Sequence, residues 1–483
     1  MDIDNQAVEV AQLSLYLKLL EEETTATARG YQLEFHETIL PSLNKNIVCG
    51  NSLIGTDIET GQLFASDEER KLNPMDYKQR FPEIMKRGGF DAIVGNPPWG
   101  ALFNEIEKVY LAAHYVSKKG EAESYIYFIE KAFRLIKDFG CVGYITPNTW
   151  LALLRSREIR EFLLDQSRFS ELCQLSKYIF RDAPDIVPAL VFFGKPFKAG
   201  NKCLVKTTKE LKIHDGNFNN AFKIKETPQA IWLKTQGSTI NLELDDSVLG
   251  VIEKCRQSSV RLGNVCDVLY GIKTGDNEKF LTKEKTAKHT VKALKTGELS
   301  RYGLTWKNFY LWWSDQLAGY RESNLEVPKI IVQYIRKISL PRRIIAALDE
   351  HGEYYPLNNY SYIAAGSSKY SIKFILGVLN SGLMNFYYAN TFIDYNIKPT
   401  YLQSLPIREC NFSIPSDKAR HNKMVSLVEQ MLTAKKQLAA AQSDKDKNFY
   451  GHKCESLDRQ IDTLVYELYG LTEAEIAIVE GNS

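Results

Sequence analysis

The sequence predicts an α/β chain with a mixed first half, an α+β second half and a helical hairpin at the carboxyl terminus. Three observations carry this. Between residues 1 and 195 short apolar strands alternate with amphipathic helical stripes, as in Phe90–Gly95, Tyr125–Ile136 and Val187–Phe193. Between 259 and 410 the pattern changes to short strands and Gly-rich turns, and from 421 to 470 two amphipathic helices follow. At 483 residues, 44% hydrophobic and 25% charged, the chain has the composition of an ordinary folded protein. Residues 1–195, a connector at 196–258, residues 259–410 and residues 411–483 are the expected divisions.

Composition also excludes classes of function. No apolar run reaches the roughly 18–20 residues of a membrane helix, so a cytoplasmic protein with no membrane partner is expected. The net charge of +2 hides a split. Residues 1–195 hold 22 basic and 28 acidic side chains, residues 196–410 hold 30 and 20, and residues 411–483 hold 9 and 11. Such asymmetry marks either an anionic partner for the middle segment or an excess on solvated faces. The eight cysteines form no CxxC pair, and no histidine stands at zinc-finger spacing from them. They read as reduced thiols, with no metal site.

The chain opens Asp2-Ile3-Asp4, after which apolar positions 7, 8, 11, 15 and 19 keep helical spacing. Asp4 or Asn5 suits the N-cap. An acid between a strand end and a helix can also reach the ribose hydroxyls of an adenosine ligand. Asn46–Ile54 reads as a short apolar strand ending in the polar turn Gly50-Asn51-Ser52.

Phe90–Gly95 is a second strand, and it runs straight into Asn96-Pro97-Pro98-Trp99-Gly100. Two prolines cannot continue a hydrogen-bonded ladder, so the loop is stiff and held at the carboxyl end of the strand. Open α/β sheets place their ligands there. The Asn96 side-chain oxygen and the Pro97 carbonyl can both accept hydrogen bonds from one exocyclic amine. Those two acceptors draw the nitrogen lone pair out of ring conjugation and ready it for a sulfonium methyl group. Trp99 offers a flat face on which a base can stack.

Asp2-Ile3-Asp4, Gly50-Asn51-Ser52-Leu53 and Asn96-Pro97-Pro98-Trp99 stand in the order of the DNA amino-methyltransferases. The chain resembles the adenine-N6 class, and in particular the type IIG restriction–modification enzymes. The resemblance extends through the helical stripe Tyr125–Ile136, the strand Gly140–Thr146, the helix Arg155–Leu164 and the strand Val187–Phe193. It implies an incomplete Rossmann-like methyltransferase domain that uses S-adenosylmethionine. It further implies that Asp2 holds the cofactor ribose, that Asn51 lies near the cofactor adenine and that Phe128 walls the pocket. Asn96, Pro97 and Pro98 would grip the target amine, with Trp99 and Phe180 packing an extruded base. The family's glycine-rich cofactor loop lies before the acidic strand, where this sequence begins. A separate polypeptide supplying that loop or a nuclease is therefore expected, or else a fragment or relic with weak methyl transfer on its own.

In the basic middle segment, Leu262–Asn277 and Ile397–Ile407 resemble the opening and closing parts of target-recognition domains in the same enzymes. Basic residues interleaved with aromatics suit contacts to the backbone of double-stranded DNA. Lys273, Arg336, Lys337, Arg342 and Arg343 are the expected DNA contacts, and Trp306, Trp312 and Trp313 lie between Lys273 and Arg336 in the sequence. Residues 421–443 and 455–470 give the two carboxyl-terminal helices, joined by the charged run Asp444–Lys447. The expected function is site-specific adenine methylation in a restriction–modification or phage-defence system. A catalytically inactive DNA-specificity fragment and a protein-glutamine methyltransferase are the alternatives.

Overall fold

Apolar strands of the first half pair into one sheet in the computed structural model, which describes residues 1–21, 42–59, 72–118, 123–208, 222–320, 325–337, 340–365 and 369–481. The strands are β1 (Phe90–Gly95), β2 (Ile136–Pro147), β3 (Arg168–Gln174), β4 (Pro188–Gly194), β5 (Lys202–Thr207) and β6 (Lys223–Pro228). Their order across the sheet is β1-β2-β4-β3-β5-β6. β1 and β2 run parallel, with Val94 opposite Gly143. A parallel pair needs a crossover, and the helix Ser124–Leu135 supplies it. That helix buries the expected stripe of Tyr125, Ile129, Ala132 and Phe133. β4 is antiparallel to both β2 and β3. A Cβ at Gly194 would lie 2.3 Å from the Gly140 carbonyl oxygen, so only glycine lets β4 close on β2 here.

The amino-terminal helix covers Asn5–Leu20, and its N-cap is Asp4, whose carboxylate accepts from Gln6 N at 2.9 Å. The expected strand at 46–54 is reduced to two isolated parallel bridges, Asp2 with Cys49 and Asn51 with Pro74. Turns close in from both ends: before it Asn46 N and Ile47 N both donate to Leu43 O, and after it the Asn51 side chain acts. Its Oδ1 accepts from Leu53 N at 3.0 Å and Ile54 N at 3.2 Å, which turns the chain out of extended geometry.

The chain divides into two units, Met1–Leu242 and Glu243–Ser483. The expected connector at 196–258 is therefore split. β5 and β6 extend the first sheet, and two buried side chains tie the residues after them to the same unit. Gln229 bonds Leu164 O, Ser167 O and Phe169 N. Arg160, fully buried, donates to Trp150 O, Leu153 O, Gly237 O and Ser238 O.

The second unit opens with the helix Asp246–Arg256. Its strands are β7 (Ser259–Arg261), β8 (Cys266–Tyr270), β9 (Leu281–Thr282), β10 (Val291–Leu294), β11 (Leu299–Ser300), β12 (Gly303–Leu304) and β13 (Phe309–Leu311). They continue as β14 (Lys329–Gln333), β15 (Ala346–Asp349), β16 (Tyr354–Pro356), β17 (Tyr360–Ala365) and β18 (Pro406–Arg408). Two four-stranded sheets result, ordered β15-β14-β17-β8 and β16-β10-β13-β9. β14 is buried along Lys329, Ile330, Ile331 and Val332, each at 0% exposure or close to it, as befits a central strand.

The run 376–388, continuous in helical pattern, is two helices, Ile372–Asn380 and Gly382–Thr391. Ser381 divides them: its hydroxyl donates to Val378 O and accepts from Met384 N. The last long helices are Pro415–Ala440 and Asp444–Tyr469. The charged run Asp444–Lys447, expected as a joining loop, is instead the first turn of the second helix, capped by Ser443. Among the described residues no helix is long and apolar enough to cross a membrane.

Candidate active site

β1 ends at Gly95, and the two prolines that follow forbid any continuation of its ladder. Asn96 is exposed there, Pro97 is buried and Trp99 is half-buried. A side chain from the helix Ser124–Leu135 fixes the loop. The Ser124 hydroxyl donates to the Pro98 carbonyl at 2.6 Å and accepts from Ala101 N at 3.1 Å. Ser124 itself is 1% exposed. The structure also brings Trp99 and Phe180 together, with ring centroids 5.0 Å apart and planes at 82°, an edge-to-face pair. The Trp99 indole N–H is buried and has no hydrogen-bond partner among the described residues, a cost of about 1–3 kcal/mol that a bound acceptor would relieve.

Sequence reasoning did not find Ser124. A serine that opens a helix reads as an ordinary terminal residue, and nothing local links it to a carbonyl in the preceding loop. Because its two bonds hold Pro98 and Ala101 directly after Asn96 and Pro97, Ser124→Ala is expected to lower kcat of a methyl transfer carried by this loop by about tenfold. KM for the cofactor should not change, and steady-state kinetics at varied cofactor concentration separate the two.

The residues expected around the cofactor also converge. Asp2 N donates to Val48 O at 3.2 Å and Gly50 N donates to Asp2 O at 2.9 Å, which sets Asp2 beside the turn carrying Asn51. The Asp2 carboxylate is exposed and accepts from Asp4 N. Phe128 is half-buried against the cluster of Leu53, Ile54, Tyr110 and Tyr127. Asn51 is 6% exposed, and its Oδ1 is engaged by two backbone amides. In the same region Tyr110 donates to Asp57 at 2.6 Å and stacks on His114 at 3.9 Å. Burial, aided by the Asp57 hydrogen bond, pushes the Tyr110 phenol up to about 12. Glu130, fully buried, pins the segment before its own helix by accepting from Val116 N and Ser117 N while pairing with Arg134. In the sequence that pair reads only as a solvated i,i+4 contact.

The five residues expected to meet DNA fare differently. Lys273 and Lys337 are exposed, and the Lys273 ammonium lies 5.9 Å from the Tyr270 ring centroid. Arg343 is not placed to reach a phosphate. It is 1% exposed, donates to Asp394 O and lies against the Tyr388 ring. Arg342 is held inside its own unit by Asn380 O at 2.9 Å and by ion pairs to Asp458 and Asp462. Arg336 is half-buried and donates to Arg342 O at 2.5 Å. Among the described residues no group of three His, Cys, Asp or Glu side chains is placed to hold a metal ion.

Comparison with known proteins gives the same order of parts. Residues 1–180 match the family model of the Eco57I restriction-modification methylase, and residues 291–407 match that of the TaqI-like C-terminal specificity domain. The type II restriction enzyme and methyltransferase RM.Eco57I of Escherichia coli is 24% identical over 586 aligned residues, covering 99% of this chain and 55% of its own length. The putative type II restriction enzyme and methyltransferase RM.MjaORFECS2P of Methanocaldococcus jannaschii is 24% identical over 414 residues, covering 83% of this chain and 33% of its own. The chain thus spans about half the length of the first relative and a third of the second. The solved structure of the type IIL restriction-modification enzyme MmeI in complex with DNA aligns with a TM-score of 0.56 at 13% identity, covering 99% of this chain and 72% of that one. At that identity the likeness is one of fold.

Proposed function

For a chain homologous to type II restriction–modification methyltransferases, with a methylase segment followed by a specificity segment, we propose a site-specific DNA methyltransferase. It moves the methyl group of S-adenosylmethionine to the N6 amine of an adenine extruded from the duplex, within a restriction–modification or phage-defence system. One observation carries this reading. A proline-stiffened Asn-Pro-Pro-Trp loop leaves the end of β1, with its Pro98 carbonyl bonded by Ser124 and its Trp99 against Phe180.

The chemistry follows from those residues. Asn96 Oδ1 and the Pro97 carbonyl accept from the two N–H bonds of the amine and localise its lone pair on nitrogen. Prolines and Ser124 fix the acceptors beforehand, so little reorganisation is needed as charge develops. The Trp99–Phe180 pair gives the extruded base an aromatic surface and offsets part of the few kcal/mol that extrusion costs. The cofactor supplies an electrophilic methyl group. The residues fit its adenosine end: the exposed Asp2 carboxylate suits the ribose hydroxyls, Phe128 lines the pocket, and Asn51 would donate from its amide nitrogen.

Two measurements bear on it. Duplex DNA methylated by the enzyme with its native partners, digested to nucleosides and weighed, is expected to contain N6-methyl-2′-deoxyadenosine. A methylated cytosine, or methylation of protein glutamine with adenine untouched, contradicts the assignment. Trp99→Ala should weaken target-base binding by about 1–3 kcal/mol and leave cofactor affinity unchanged, as read by calorimetry with each ligand.

A further inference from the structure

The positive charge of the second unit is concentrated in one short stretch. Of the thirty basic residues between 196 and 410, twenty-two lie in the second unit, and eight of those fall within 279–307, against two acids, Glu284 and Glu298. Glu298 is 2% exposed, and its carboxylate is occupied by the backbone amides of Lys295, Thr296 and Lys307, so it faces inward. This stretch builds β9, β10 and the turns leading to β13 in the sheet ordered β16-β10-β13-β9.

Around that sheet the lysines lie over aromatic rings. The Lys279 and Lys288 ammonium groups stand 5.7 and 4.9 Å from the Trp312 ring centroid. Those of Lys283 and Lys295 stand 5.9 and 4.9 Å from that of Phe309, and that of Lys292 stands 5.3 Å from that of Trp306. Lys292 also pairs with Glu353. Among the described residues no carboxylate pairs with Lys279, Lys283, Lys288 or Lys295; Lys279 donates to the neutral Gln316 at 2.8 Å. The turn before β10 is itself held, with His289 accepting from Thr286 Oγ1 or donating to it at 3.0 Å and its ring edge-on to Trp312.

We propose that Lys279, Lys283, Lys288 and Lys295 form the phosphate-tracking surface of this protein, and that their ligand is the sugar–phosphate backbone of duplex DNA. The inference rests on the DNA-methyltransferase reading and moves the main electrostatic contact away from Arg336, Arg342 and Arg343. A ring beneath each ammonium restricts its stem while the charged head stays in water, so less side-chain freedom is lost when a phosphate arrives. Lysine is a point charge without the forked geometry that reads guanine edges, so this surface contributes affinity and register and leaves base choice to other side chains.

The test is duplex binding by the full chain, followed by fluorescence anisotropy across a salt series. Replacing Lys279, Lys283, Lys288 and Lys295 together by glutamine should weaken binding at least about tenfold and flatten the slope of log K against log salt by about 3 to 4. The loss should be equal for cognate and unrelated sequences. The same four positions changed to arginine should keep the parental slope, and Lys435→Gln with Lys436→Gln on the helix Pro415–Ala440 should change nothing. A parent that binds duplex with a steep slope and a glutamine variant that matches it overturn the proposal alone. A parent that binds no duplex overturns it together with the DNA-methyltransferase reading.

Discussion

Asn96→Ala is expected to lower the single-turnover rate of methyl transfer by about 10²–10³-fold. In the proposed reaction the Asn96 oxygen and the Pro97 carbonyl accept from the target amine, and the effect of Asn96 is felt mainly as the nitrogen becomes positive. Removing it leaves the lone pair in ring conjugation at the moment of attack. Binding should be spared, because the stiff loop is fixed by Pro97, Pro98 and the Ser124 bond to the Pro98 carbonyl rather than by Asn96. Asn96→Asp keeps an acceptor oxygen at the same reach and is expected to retain more activity than alanine. Rapid quench with saturating cofactor and duplex reads the rate directly, and duplex anisotropy checks the binding. A rate within a few-fold of the parent removes Asn96 from the chemistry.

Lys329→Met is expected to destabilise the second unit by about 3–5 kcal/mol. Lys329 lies in the middle sheet position of β14 with its side chain fully buried, donating to Asp349 and to Leu325 O, both at 2.6 Å. Burial alone lowers the amine's pKa, and the Asp349 carboxylate works against that, so the pair stands charged only as a pair. Methionine fills the space but leaves the Asp349 carboxylate buried, with Glu353 N and Tyr354 N as its donors. Adding Asp349→Asn removes the stranded charge and keeps an acceptor for those amides, so the double variant should recover a large part of the loss. Denaturant melts followed by a signal from the second unit measure all three proteins. Equal stability of the parent and Lys329→Met would show that the pair contributes nothing to β14.

Much of the site was legible because its signals are local. A strand followed by two prolines can only be a stiff loop at a sheet end, and Asn96, Trp99 and the strand Phe90–Gly95 stand where the sequence put them. The Asp4 cap and the helical stripe from Tyr125 to Phe133 are equally local, the one a carboxylate two residues from its amide, the other a repeat of 3.6. What was missed depends on contacts across long stretches of chain. Ser124 meets a carbonyl 26 residues away, and Arg160 meets two carbonyls more than 70 residues away, which is why the expected connector up to Leu242 belongs to the first unit. Arg342 and Arg343 look in sequence like any basic pair. Only the fold shows that the charge of one is answered by Asp458 and Asp462 and that the other is buried against Tyr388. Lys279, Lys283, Lys288 and Lys295 carry the same charge, but rings rather than carboxylates lie beneath them.

The most direct test of the whole account is the adenine methylation pattern of genomic DNA in cells that carry this gene in its native locus. It should be read by sequencing, once with the parental chain and once with Asn96→Ala at equal protein abundance. The account predicts N6-methyladenine at one recurring sequence with the parent and its loss with the variant. The same mark in both strains, or none in either, would contradict a methyl transfer carried by the Asn-Pro-Pro-Trp loop.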